Sequence, residues 1–310
     1  MAISGTSAGA MNAVVAADGR MSGGLDGARQ ALERFWYAVS ESARFSPIQR
    51  TPLDVVMGRW SLDNSPGYHL FDALTRMVSP YQLNPLDLNP LRDLLAAGVD
   101  FDRVRSCDIM KVFVSATDVE TGKVKVFDRK QLTVDMVMAS ACLPFVFQAV
   151  EIDGVPYWDG GYMGNPALFP LYSVENCNDI VVVQINPIER KGAPKTAPDI
   201  LNRLNEISFN SSLLKELRAI DFVHRLIEEG RLPADEYRDI HVHVIENQEE
   251  LKPLGASSKL NAEWAFLTHL RDVGRRTAER WLAANLDQVG ERSTVDLRAM
   301  FEGIGAVHHG

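Results

Sequence analysis

Cysteine is scarce in this chain. Cys107, Cys142 and Cys177 are the only three among 310 residues, too few and too scattered for a disulfide framework or a cysteine-based metal site. Buried thiols in a reducing compartment are the expectation. Long apolar runs are missing too. No stretch approaches the ~18 consecutive apolar residues of a membrane span, and the first residues lack the basic and apolar segments of a secretory signal. A cytoplasmic location is therefore expected. There is no long basic run: Lys and Arg number 32 against 41 Asp and Glu, for a net charge of −9. That balance argues against nucleic acid as a partner and against simple electrostatic attraction to anionic membranes. No internal repeat, low-complexity tract or spaced Asp/Asn/Glu calcium loop is visible.

What is present is ordinary for a globular protein with a sizeable core: 46% hydrophobic and 24% charged residues. Helical spacing of apolar residues predicts helices over 8–17, stopped by Asp18-Gly19, and over 25–42, with Leu25, Ala28, Leu32, Phe35, Trp36 and Val39 as a core stripe. Residues 46–90 are rich in Pro, Asn and Asp and read as irregular, with short helical pieces such as 70–78. They suit a lid, a substrate-access insertion or a plain surface excursion. Short helices follow at 91–97 and 101–107, then strands at 111–117 and 123–128 joined by a turn at Glu120-Thr121-Gly122. A helix over 134–142 precedes strand pieces at 148–152 and 155–158 around Asp153-Gly154. Asn165-Pro166 is expected to open a helix. The apolar run at 179–186 suits a central strand covered on both faces. Beyond it, 201–229 and 263–286 read as long amphipathic helices on either side of a strand at 239–246. The alternation predicts an α/β fold with a mostly parallel or mixed sheet and a helical C-terminal extension.

Chemistry concentrates near the start. Gly5-Thr6-Ser7-Ala8-Gly9 is a Gly-x-Ser-x-Gly pattern with a strand residue before it and helix formers after it. The bare pattern arises by chance in roughly one chain in ten of this size; the strand–turn–helix setting is what makes Ser7 a candidate nucleophile. Gly5 and Gly9 are read as letting strand and helix pack closely. The helix start would offer backbone N–H groups, that of Ala8 first, to an oxyanion. The competing reading is a Gly-rich turn with a capping hydroxyl.

A serine needs a base. Seven histidines are available, but none sits in a Gly-rich loop after a strand. His224 and His269 fall on amphipathic helices, and His308 and His309 lie at the C-terminal end. His241 and His243 share one face of a strand, without a third ligand to make a metal site. No metal and no cofactor is expected. The alternative base is Asp159, at a strand tip before Gly160-Gly161, where partial burial would raise its pKa enough to accept a serine proton. An ordinary Asp-Gly turn is the competing reading.

Gly5-Thr6-Ser7-Ala8-Gly9-Ala10 together with Asp159-Gly160-Gly161 resembles the patatin-like phospholipases. Ser115-Ala116-Thr117-Asp118, Ala139-Ser140-Ala141-Cys142-Leu143-Pro144 and Tyr157-Trp158 are similar to that family as well. Phe209-Asn210-Ser211-Ser212 and Ser257-Ser258-Lys259-Leu260-Asn261 resemble the helical tail of a bacterial branch. The resemblance implies a three-layer αβα fold, with a catalytic core over 1–190 and a remaining strand plus helical extension over 191–310. It implies hydrolysis of lipid acyl esters through an acyl-enzyme, with Ser7 as nucleophile and Asp159 as base in a dyad without histidine. The implied partner is a lipid or acyl ester, reached by transient contact with a membrane surface. The family also carries a Gly-rich oxyanion segment upstream of the elbow, and no such segment lies between Met1 and Ser7. The expectations from this are a weakened oxyanion hole and self-association through the edge of the elbow strand. The alternative function is a catalytically impaired relative that binds acyl lipids or a protein partner without turnover.

Overall fold

The computed structural model describes residues 1–302 apart from Asn176 and Ala234. In chain order it contains β1 (Ala2–Gly5), α1 (Ala8–Ser42), α2 (Pro52–Val56), α3 (Pro66–Met77), α4 (Pro80–Leu83), α5 (Pro90–Gly98), α6 (Phe101–Ser106), β2 (Lys111–Asp118), β3 (Val124–Asp128) and α7 (Val134–Ser140). There follow β4 (Val150–Ile152), β5 (Val155–Asp159), β6 (Asp179–Gln184), α8 (Ala197–Glu228), β7 (His241–Glu246), α9 (Gln248–Leu251), α10 (Trp264–Asn285) and α11 (Leu297–Phe301). The fold is α/β with a mixed sheet and a helical C-terminal region. Two compact units divide the chain: Met1–Ala167 with Pro253–Asp272, and Leu168–Lys252 with Val273–Gly310.

In the first unit everything is arranged along β2. One edge of β2 pairs antiparallel with β3 over Phe113–Thr117. The other edge is shared end to end: β1 runs parallel along its first half, reaching Gly5 opposite Val114, and β5 runs antiparallel along its second half, reaching Asp159 opposite Ala116. The C-terminal ends of β1 and β5 thus converge on Ser115 from opposite directions. The two faces of β2 are chemically distinct, as a period of two requires. Val112, Val114 and Ala116 enter a core with Val14, Phe127, Val137, Ala139 and Tyr157. Ser115 and Thr117 carry hydroxyls on the opposite face.

Turn chemistry sets the hairpins. Asp118 Oδ1 accepts the N–H groups of Glu120 and Thr121 at 2.9 and 3.0 Å, and Gly122 adopts φ +65°. Between β4 and β5, Asp153 and Gly154 take φ +52° and +79°, the signs a two-residue type I′ turn needs.

Several expectations are corrected. The first helix passes through Asp18-Gly19 and breaks only at Gly23 and Gly24, where φ/ψ of −155°/25° and 65°/−149° leave the helical region. Gly19 is a contact residue: a Cβ there would lie 2.6 Å from the Gly27 carbonyl oxygen, so the two arms of α1 cross at backbone distance. Leu25, placed on the core stripe, is exposed at the break. Residues 46–90 hold the short helices α2, α3 and α4 between loops, and α5 starts at Pro90. α2, α3, α4 and α5 each begin with proline directly after Thr51, Ser65, Ser79 or Asn89, the pairing of N-cap and N1 residues that starts helices. Asn165-Pro166 opens no α-helix; the peptide is cis and a short 3₁₀ segment (Phe169–Ser173) follows.

In the second unit β6 pairs in parallel with β7 alone among the described strands. The run over 179–186 is not covered on both faces. Ile180 and Val182 are buried against Leu213, Leu217, Ile220, Val242 and Val244, whereas Val181 and Val183 are 46% and 69% exposed. Cys107 and Cys142 are buried free thiols, while Cys177 is exposed. No helix among the described residues is long and apolar enough to cross a membrane.

Candidate active site

The convergence of β1 and β5 brings Ser7 and Asp159 together. Ser7 sits between β1 and α1 with φ 55° and ψ −121°, a conformation that costs a non-glycine residue on the order of 1–3 kcal/mol. Its surroundings hold it there. The Ser7 N–H donates to Ser140 Oγ at 2.9 Å, at the end of α7. A Cβ on Gly5 would lie 2.4 Å from the Gly9 carbonyl oxygen, so strand and helix meet at a distance only glycine permits. Gly9 differs: a Cβ there would meet nothing within 4 Å. Its backbone forms the contact, and the expectation that both glycines are needed for space holds only at Gly5.

The Ser7 side chain makes no capping hydrogen bond to its helix. Its hydroxyl lies near the Asp159 carboxyl group, where its hydrogen-bonding effect lowers that group's pKa. At the start of α1 the N–H groups of Gly9, Ala10 and Met11 donate to Thr6 O or Ser7 O at 2.9–3.2 Å. The N–H of Ala8, first in the helix, lies outside these bonds and at the positive end of the helix dipole.

Asp159 is 2% exposed. Its Oδ1 accepts the Gly161 N–H at 2.7 Å, its own N–H donates to Cys142 O at 2.8 Å, and its carbonyl accepts the Thr117 hydroxyl at 2.8 Å. Burial raises its pKa to about 6, against the opposing effects of the Gly161 N–H, the Ser7 hydrogen bond and the Lys259 charge. Most aspartates are fully ionised well below that value; this one changes charge just below neutrality. Gly160 makes the close packing possible, since a Cβ there would lie 2.1 Å from Ser115 O.

Behind the pair, three buried polar groups close on one another. The Thr6 and Ser115 hydroxyls lie 2.6 Å apart and 2.7 and 2.9 Å from the Gly164 carbonyl oxygen, their two hydrogens shared among the three contacts. The Ser4 hydroxyl donates to Ala167 O at 2.6 Å. The residues flanking Ser7 are thereby tied to the segment that follows Asp159. Sequence reading quoted Ser115, Thr117, Ser140 and Lys259 without assigning them a part. Their partners lie 42–133 positions away where a hydrogen bond is involved, and side-chain bonds of that range leave no periodic trace.

No described histidine is a hydrogen-bond partner of Ser7 or Asp159. His69 contacts Asp63 O, His269 stacks on Trp60, and His224 bonds Asp239 at 2.6 Å. His243 is held between Asp179 (3.0 Å) and Thr294 (3.2 Å), with His241 3.5 Å from the same aspartate. His308 and His309 lie outside the described residues. No group of three or more His, Cys, Asp or Glu among the described residues is placed to hold a metal ion.

A family model described as patatin-like phospholipase matches residues 2–172, more than half of the chain. A search of curated proteins returned no match.

Proposed function

The chain belongs to the patatin-like phospholipase family, and on that basis we propose that it hydrolyses lipid acyl esters with Ser7 as nucleophile and Asp159 as general base. The observation that carries the reading is the buried carboxyl of Asp159 beside the Ser7 side chain, with its pKa raised by burial to about 6. Such a carboxylate is basic enough to take a hydroxyl proton in the transition state and is ionised at neutral pH.

In the first half-reaction Ser7 Oγ attacks the ester carbonyl carbon while Asp159 takes the hydroxyl proton. The oxyanion develops beside the Ala8 N–H. The C–O bond to the alcohol then breaks, and the alcohol leaves with the proton returned by Asp159. In the second half-reaction water attacks the acyl-Ser7 ester and gives a proton to Asp159. The fatty acid departs as that proton returns to Ser7 Oγ. The dyad needs no metal and no cofactor. Substrate is met at a lipid surface through transient contact of the apolar residues exposed on α2 and α3.

The test is intact-mass measurement after incubation with a fluorophosphonate, beside Ser7→Ala. One adduct that disappears in Ser7→Ala is expected, together with loss of ester hydrolysis in Ser7→Ala and Asp159→Asn. Hydrolysis that survives in either folded variant rules out the dyad. A folded wild type that takes no adduct, yet binds fatty acid saturably, establishes the non-catalytic lipid-binding reading instead.

A further inference from the structure

The geometry points to an acyl-chain site in the groove between the α3–α4 corner and the segment around Asp159, where the side chains of Met77, Val78, Phe145 and Met163 set which chain length the protein prefers. The inference rests on the hydrolase reading for its substrate class, although the groove itself is a feature of the first unit alone.

The groove has a volume of about 660 Å³, within the range of small-molecule sites. It is lined by the chain from Thr75 to Tyr81, by Pro144 and Phe145, and by Thr117, Trp158, Tyr162 and Met163. Two of these residues adjoin the backbone of the proposed base. The Thr117 hydroxyl is bonded to Asp159 O, and Trp158 directly precedes Asp159. Burial, then the Asp159 charge, raises the pKa of Tyr162, which places its phenol within electrostatic reach of the carboxylate. A chain lying in the groove would therefore pass close to the segment that carries Asp159.

The lining chemistry favours apolar ligands. Its hydroxyls are engaged within the protein: Thr75 with Asp72 O (3.1 Å), Ser79 with Gln82 Oε1 (3.4 Å), Tyr81 with the Ala149 N–H (3.2 Å) and Thr117 with Asp159 O (2.8 Å). Its one charged side chain, Arg76, pairs with both oxygens of Asp72 at 2.8 Å. A sugar or nucleotide would find few free partners. Hydrocarbon finds rings and thioethers. Met77 and Phe145 are 82% and 68% exposed, an apolar rim left open to solvent. Methionine adapts to flexible apolar ligands with little strain.

The test measures kcat/KM for p-nitrophenyl esters from acetate to laurate. In the wild type the value is expected to climb with chain length, by up to about fourfold per methylene, until the groove is full. Met163→Trp narrows the groove and should lower the laurate-to-acetate ratio at least tenfold. Phe145→Asp, at an exposed rim position where folding is not at risk, should lower it in the same direction. Fluorescence enhancement of cis-parinaric acid, read in the Ser7→Ala background, should be lost in both variants. Wild-type hydrolysis with a chain-length profile that neither variant changes overturns the groove and leaves the hydrolase standing. Probe binding lost on filling the groove, in a protein that hydrolyses no ester, supports the groove and removes the hydrolase reading. Absence of probe binding in Ser7→Ala overturns the groove.

Discussion

A carboxyl group as buried as Asp159 must be neutral part of the time, and that has two measurable effects of opposite value to the protein. Catalysis needs the charged form, so kcat/KM should fall as pH drops through about 6, the folded-state pKa. Stability favours the neutral form. The folded state holds this proton more tightly than the unfolded chain, so the contribution of Asp159 to stability weakens as pH rises from about 4 to about 6. At neutral pH the penalty is on the order of 3 kcal/mol. Asp159→Asn should accordingly raise the melting temperature at pH 8 and change it little at pH 4, while abolishing hydrolysis. A melting temperature lowered equally at both pH values would show that burial of the charge is not the controlling cost. Ser140 acts differently, because its hydroxyl is the acceptor for the N–H of a strained residue. Ser140→Ala leaves that N–H without its partner, at about 1–3 kcal/mol. Urea denaturation should show the loss, and fluorophosphonate labelling of Ser7 should slow in the same variant. The candidate pair Ser7 and Asp159 stood out in the sequence because a strand-to-helix Gly-x-Ser-x-Gly and an Asp-Gly-Gly after a strand are local patterns. Ser140 was not, because nothing local distinguishes a serine at a helix end that supports another loop from one that faces water.

The same division between local and distant causes runs through the elements. The β2–β3 and β4–β5 hairpins were legible because Gly122 and Asp153-Gly154 declare their turns and the strands alternate. The end of the first helical arm was misread because Asp18-Gly19 has the composition of a stop, whereas Gly19 is small for the sake of Gly27. Three substitutions separate these uses of glycine. Gly27→Ala puts a Cβ 2.3 Å from Gly19 O and should destabilise most. Gly24→Ala meets no neighbour but must hold φ +65°, at about 1–3 kcal/mol. Gly23→Ala has both open space and negative φ and should be tolerated. Thermal melts of the three would rank them, and any other order would mean that the break is set elsewhere. The run at 179–186 misled for a related reason: consecutive apolar residues suggest two covered faces, yet Val181 and Val183 remain exposed. α2 departs from the usual pattern more openly. Asp54 is buried and held by Thr51 (2.6 Å) and Asn64 (2.8 Å), while Leu53, Val55, Val56 and Met57 face solvent. On α3, Leu70, Leu74 and Met77 form an exposed stripe at positions i, i+4 and i+7. These side chains account for the proposed lipid contact, and replacing all three with serine should reduce sedimentation with phosphatidylcholine vesicles several-fold. Unchanged sedimentation would remove α3 from the contact.

At the scale of the whole molecule, charge and apolar surface pull in opposite directions on a membrane. The net charge of −9 repels an anionic bilayer at long range, while the exposed residues of α2 and α3 can gain only by contact. Contact through apolar area is insensitive to screening, whereas the repulsion has a range of about 10 Å at 0.1 M salt and about 3 Å at 1 M. The two effects therefore separate by ionic strength. Binding to neutral phosphatidylcholine vesicles should be unchanged or strengthened as salt is raised, since salt does not weaken apolar burial. On vesicles containing about one-third phosphatidylserine, binding should be weaker at low salt and recover towards the neutral-vesicle value at high salt. Binding that is strongest on anionic vesicles at low salt would contradict this, because it requires a basic surface that neither the composition nor the exposed residues of α2 and α3 provide.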